Sequence, residues 1–233
     1  MLWRSNSRDI NHMRLMSFLN FSRRVAAQSP ESLFVLIKML ADKIFISECQ
    51  QLAENGPPKF KEDMFHKLVS GSKPLPKAII EMMSFHRCHC PTTQNIVVNL
   101  ATAPVLPGVW NDRKLAMMVA GAGDKRNVWN PELYKAGAHL WLPIGLTWIA
   151  TDGNHSTARG LLERKGEILF TPNSELRVIL DVGEFIRNIR FDGTYYRLEH
   201  DKGKILCKAS SFDFGCIVEL GKLLQEYQVS FTA

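Results

Sequence analysis

Residues 141–166 read WLPIGLTWIATDGNHSTARGLLERKG, and three patterns follow one another in them. Trp141 to Ala150 is apolar and rich in strand-forming residues, with Pro143 and Gly145 as interruptions. That predicts one or two strands with an edge or a break at those positions. Asp152-Gly153-Asn154-His155-Ser156 is a turn, and Ser156 to Arg164 is a helix that Gly166 stops. A strand running through a glycine turn into a helix aims several backbone N–H groups at one point. The helix dipole adds roughly half a positive charge there, so the order predicts a place for an anion, phosphate first among them.

The side chains of the turn suit that chemistry. Gly153 permits backbone conformations closed to other residues and lets a ligand come near. Asn154 and Ser156 carry short hydrogen-bonding groups, and either can cap the helix. His155 donates to a phosphate oxygen or moves a proton near neutral pH. Arg159 follows one turn later on the same helical face, placed for charge-assisted bonds. The same residue types also make plain connections, in which an Asp-Gly turn is closed by an Asn or Ser cap.

Working outward, Ile96 to Leu100 is a short β-branched strand, and Pro104 to Pro107 is a turn. Lys114 to Ala120 is a helix closed by Gly121-Ala122-Gly123-Asp124. Beyond the central stretch, Ile168 to Phe170 and Arg177 to Leu180 read as strands and 183–190 as a short helix. Asp192-Gly193 reads as a hairpin turn, and Ile217 to Tyr227 as an amphipathic helix. Before residue 93 the pattern is helical. Asn11 to Ala27 has apolar residues at helical spacing, and Ser29-Pro30-Glu31 starts a helix that runs to about Leu52. Further helices are expected over Phe60 to Val69 and Lys77 to Phe85, on either side of a Gly71-Ser72-Lys73-Pro74 loop. The fold expected is α+β, with a helical region over 1–93 and a mixed core with a C-terminal helix over 94–233.

Composition narrows the classes. The 233 residues are 45% hydrophobic and 22% charged, enough to bury a core without disulfides. The net charge of +6 and a pI near 9.1 favour a phosphate-rich or acidic partner. The most apolar stretch, Leu33 to Ile37, falls far short of the ~20 residues a membrane span needs. No secretory leader is visible, and five scattered cysteines suit a reducing compartment. A cytoplasmic location is expected.

The order of segments also resembles a family. A Leu-Pro segment with an Arg (Leu106-Pro107 through Arg113) leads to a helix and a Leu142-Pro143-Ile144 strand. A second strand into Asp152-Gly153-Asn154-His155 follows, then a helix and Gly166-Glu167-Ile168. This resembles the ParB/sulfiredoxin superfamily over about residues 95–172. Members carry Arg directly after the His or its equivalent, whereas this chain has Ser156. No Cys stands in the turn and no helix-turn-helix follows, which argues against sulfinic-acid repair and against a segregation clamp.

Size, charge and the helical N-terminal region also resemble plasmid fertility-inhibition proteins of the oncogenic suppression activity type within that superfamily. The resemblance implies a nucleotide-binding protein, with ATP and Mg2+ as cofactors, and a candidate ATPase and DNase that blocks conjugative DNA transfer. The partners implied are nucleotide, DNA and a component of a transfer machine. It would make Asp152 a metal or water ligand and His155 a general base or phosphate donor. Gly153, Asn154, Ser156, Arg159 and Arg113 would hold the phosphate, with Asp112 and Glu163 as further candidates. Two other readings stand beside it: a non-catalytic protein that blocks a secretion or transfer machine, and a nucleotide sensor without turnover.

Other clusters are weighed lower. His86-Arg87-Cys88-His89-Cys90 lacks a second pair of ligands at zinc spacing and reads as thiols and imidazoles at a helix end. Trp141 and Trp148 read as core and Trp110 as a stacking platform. Asp124-Lys125-Arg126 and Lys202-Gly203-Lys204 read as solvated loops.

Overall fold

The computed structural model describes residues 7–57, 69, 75–123, 136–172, 174–201 and 203–231. Apart from Val69, the helix expected over Phe60 to Val69 lies outside the described residues. So do the loop at Gly71 to Pro74, the Asp124-Lys125-Arg126 run, Trp129 and Lys202.

The chain opens with two long helices, α1 (Ser7–Gln28) and α2 (Leu33–Asn55), joined by a 3-10 turn at Pro30–Ser32. Leu15, Leu19, Ser22 and Ala26 put one narrow stripe of α1 into the core, at the spacing of a half-buried helix. Ser29 does not cap this start as expected. Its hydroxyl donates to the Glu31 carboxylate at 3.2 Å. Two short helices, α3 (Lys77–Met82) and α4 (Phe85–Cys88), then lead into the strands.

There are three sheets among the described residues. β1 (Ile96–Asn99) pairs antiparallel with β5 (Glu167–Phe170). The central sheet has the order β2-β4-β3-β6, from β2 (Val105–Leu106), β3 (Ala138–Leu142), β4 (Leu146–Ile149) and β6 (Arg177–Asp181). β3 and β4 form the expected strand pair, broken at Pro143-Ile144-Gly145, where the Gly145 N–H donates to Trp141 O. β7 (Ile189–Phe191), β8 (Tyr195–Leu198) and β9 (Ile205–Lys208) make a meander. The Asp192-Gly193 turn is there, its carboxylate accepting the N–H groups of Thr194 and Tyr195.

The remaining helices are α5 (Asp112–Gly123), α6 (Asn154–Glu163), α7 (Gly183–Asn188) and α8 (Phe212–Glu226). α8 begins at Phe212, five residues before the expected start, because the hydroxyl of its N-cap Ser211 accepts the Phe214 N–H at 2.9 Å. It is buried almost all round from Phe214 to Leu224, so it is a core helix, not an amphipathic surface one. α2 and α1 lie against it on one side, α7 and β7 on another. The fold is α+β with a helical N-terminal region, and the buried residues of both regions join in one cluster.

Candidate functional site

The site follows from two strand–loop–helix units set side by side. β2 and β4 are parallel neighbours, with Val105 opposite Thr147 and Leu106 opposite Trp148. Each leaves the sheet at its C-terminal end, β2 through 107–111 into α5 and β4 through 150–153 into α6, and the two helices pack together. Crevices outside the carboxyl ends of neighbouring parallel strands are where such sheets bind ligands. Here the crevice is a hollow of ≈ 140 Å³ lined by Trp110 and Lys114 from the first unit and Thr151 to Ser156 from the second.

Gly153 turns the chain into α6 with φ +91, a left-handed conformation that favours glycine. A Cβ there would meet the Ala136 Cβ at 2.6 Å, so the position has no room for a side chain. Thr157 is the first residue to donate back into the turn, to Gly153 O at 2.8 Å. The N–H groups of Asn154, His155 and Ser156 therefore have no acceptor within the helix and stand at its positive end.

The expected grip of Asn154 on phosphate gives way to a structural task. The residue is 8% exposed; its Oδ1 accepts the Gly108 N–H at 2.6 Å and its Nδ2 donates to Thr151 O at 2.8 Å. One amide thus clamps the two loops that form the hollow. Arg159 also faces elsewhere. Its Nε donates to Glu163 at 2.7 Å and its Nη2 to Gly121 O at 3.2 Å, in a nearly buried pair that ties α6 to α5. Glu163 is the partner of that arginine, and neither residue lines the hollow.

Arg113 and Asp112 are exposed on the first turn of α5 and do not line the hollow either. The cation that does is Lys114, which the sequence reading passed over. One residue is a 100° rotation on a helix, and the Asn111 side chain, accepting the Lys114 N–H at 2.9 Å, sets where the helix starts. The Lys114 Nζ lies 5.4 Å from the Trp110 ring centroid. That ring also meets His155 edge-on, centroids 5.6 Å apart at 76°. Trp110 therefore touches both the lysine and the histidine.

Burial pushes the His155 imidazole pKa below its ordinary value, and the Lys114 charge adds to this, while a contact with the Asn111 backbone opposes it. The shift favours the neutral ring, and its Nε2 is enclosed with no hydrogen-bond partner among the described residues. Asp152 and Ser156 are exposed and complete the rim. What the arrangement offers is three backbone donors with no acceptor among the described residues, a lysine, an imidazole, a hydroxyl and one carboxylate.

The other cluster singled out in the sequence serves the fold. Cys88 is buried and its Sγ donates to Met82 O at 3.1 Å; the Cys90 N–H donates to Ile179 O, and His89 bridges to Leu180. All five cysteines are thiols. Trp141 and Trp148 are core residues at 1% and 7% exposure. Among the described residues no three His, Cys, Asp or Glu side chains are grouped to hold a metal ion, and no helix is long and apolar enough to cross a membrane.

No curated protein and no solved structure matches the chain. Residues 4–231 match the family of unknown function DUF6710, and the chain belongs to that family.

Proposed function

We propose that the hollow between the N-termini of α5 and α6 is a phosphate site and that the protein binds nucleotide through it. The observation that carries this is the pairing of two parallel strand–loop–helix units around one cation, Lys114, with the donors of the α6 terminus open. Backbone donors at a helix end and a lysine are sufficient for an anion of this size. Mg2+ suits the donor set: it needs only one or two carboxylates beside the oxygens of the phosphates, and Asp152 is a carboxylate on the rim. When bound, the ion would offset phosphate charge and polarise the phosphoryl oxygens.

The ParB/sulfiredoxin-like identity, ATP hydrolysis, DNA cleavage and a role in fertility inhibition are wider forms of this proposal. In the hydrolytic form His155 is the general base, with Asp152 orienting the water. A second form, a sensor that binds without turnover, draws support from the Arg159–Glu163 pair. That pair leaves Lys114 as the lining cation among the described residues.

Calorimetry with ATP, CTP and GTP in the presence of Mg2+ tests the reading. Dissociation constants on the order of micromolar are expected, weakened at least about tenfold in Lys114→Ala, which removes a charge-assisted bond of roughly 1.5–3 kcal/mol. Folded wild type that binds none of the three would sink it. Product release lost in His155→Ala with binding intact would favour the enzyme over the sensor.

A further inference from the structure

We infer that the hollow takes one terminal phosphate group, a phosphomonoester, and discriminates against the internal phosphodiester of a nucleic-acid strand. This rests on the phosphate-site reading above and names its ligand class.

The volume is the first argument. At ≈ 140 Å³ the hollow holds about four or five waters, taking ~30 Å³ for each. A phosphate, four oxygens around phosphorus, fills such a space alone. A triphosphate cannot enter whole, and a nucleoside needs the ~300 Å³ or more of an ordinary ligand pocket. The rest of any ligand must leave through the mouth.

Oxygen count and charge are the second. A terminal phosphate presents three non-bridging oxygens and up to two negative charges; a diester presents two oxygens and one charge. The N–H groups of Asn154, His155 and Ser156, with Lys114, make a donor set that three oxygens satisfy better than two. With its second ionisation near pH 6, the monoester is mostly the dianion at neutral pH, which the lysine and the helix terminus favour over the singly charged diester. Asp152 on the rim disfavours additional negative charge outside the hollow.

Trp110 meets Lys114 and His155, and ring stacking does not tell one base from another, so no described residue lining the hollow reads a base. Nucleotides with different bases are therefore expected to bind alike.

The experiment uses the full chain in calorimetry with adenosine 5′-monophosphate, its methyl ester, guanosine 5′-monophosphate and inorganic phosphate. Adenosine monophosphate should bind about tenfold or more tightly than its methyl ester, the second charge and third oxygen being worth ~1.4 kcal/mol or more. The two monophosphates should differ less than about threefold, with phosphate competing against both. A methyl ester that binds as well as the monoester overturns the inference, and so does ATP that binds through Lys114 while the monophosphates do not; both leave the phosphate site standing. If no probe binds, or if Lys114→Gln leaves every affinity unchanged, the phosphate site fails and this inference with it.

Discussion

At the α6 terminus the Asn154 side chain accepts from Gly108 and donates to Thr151, and its burial leaves no water to replace either partner. Asn154→Ala strands the Gly108 N–H and is expected to cost about 1–3 kcal/mol in urea unfolding. It should also weaken ligand binding, because the two loops lose their tie. Asn154→Ala with unchanged stability would show that the clamp does not hold the site. Sequence reading finds the turn, since Gly153 and the apolar run before it are local signals. It could not find what Asn154 does, because Gly108 lies 46 residues away and no local pattern reports it. Arg113 against Lys114 is a question of helical phase, which rests on where α5 begins and which face packs on α6. Arg159 is the plainest case of tertiary context: a residue spaced to reach an anion has Glu163 one turn further on and the Gly121 carbonyl within reach.

At the scale of elements, α8 joins the meander to the rest of the core, and Glu219 is the joint. It is 8% exposed, accepts the Phe191 N–H at 2.7 Å, and lies 3.6 Å from Lys222, which also donates to Glu199 at 2.9 Å. Burial raises the Glu219 pKa above its ordinary value, outweighing Lys222 and the Phe191 N–H, which oppose it. The unfolded chain therefore gives up this proton at lower pH than the folded one. Between the unfolded and the folded value the folded state binds more protons, and stability falls as pH rises. Glu219→Gln keeps the acceptor for Phe191 and removes the titration. Its stability relative to wild type should improve steadily from about pH 4.5 upward, followed by urea midpoints to pH 8. A difference that does not change with pH would mean Glu219 ionises normally. Element types were largely legible, since α2, β3, β4, α6 and the Asp192-Gly193 hairpin follow from periodicity and turn residues. The start of α8 was not, because Phe212 to Cys216 mixes aromatics with glycine and carries its helix signal in the Ser211 cap. β9 and the pairing of β1 with β5 depend on distant partners.

For the whole molecule, the helical N-terminal region and the sheets share one buried cluster, in which α2 covers α8 and packs on β2. A chain of residues 94–233 would expose the α8 face that α1 and α2 cover. It is expected to lose cooperative unfolding and to bind a hydrophobic dye. A sharp transition with dispersed amide resonances would instead establish 94–233 as a self-sufficient domain. The central claim, that the two strand–loop–helix units converge on a phosphate site, is tested most directly by amide NMR with inorganic phosphate. Saturable shifts centred on the backbone N–H groups of Asn154, His155 and Ser156, absent in Lys114→Ala, are the predicted result. Shifts confined to other surfaces, or shifts at these three residues that persist without Lys114, would contradict it.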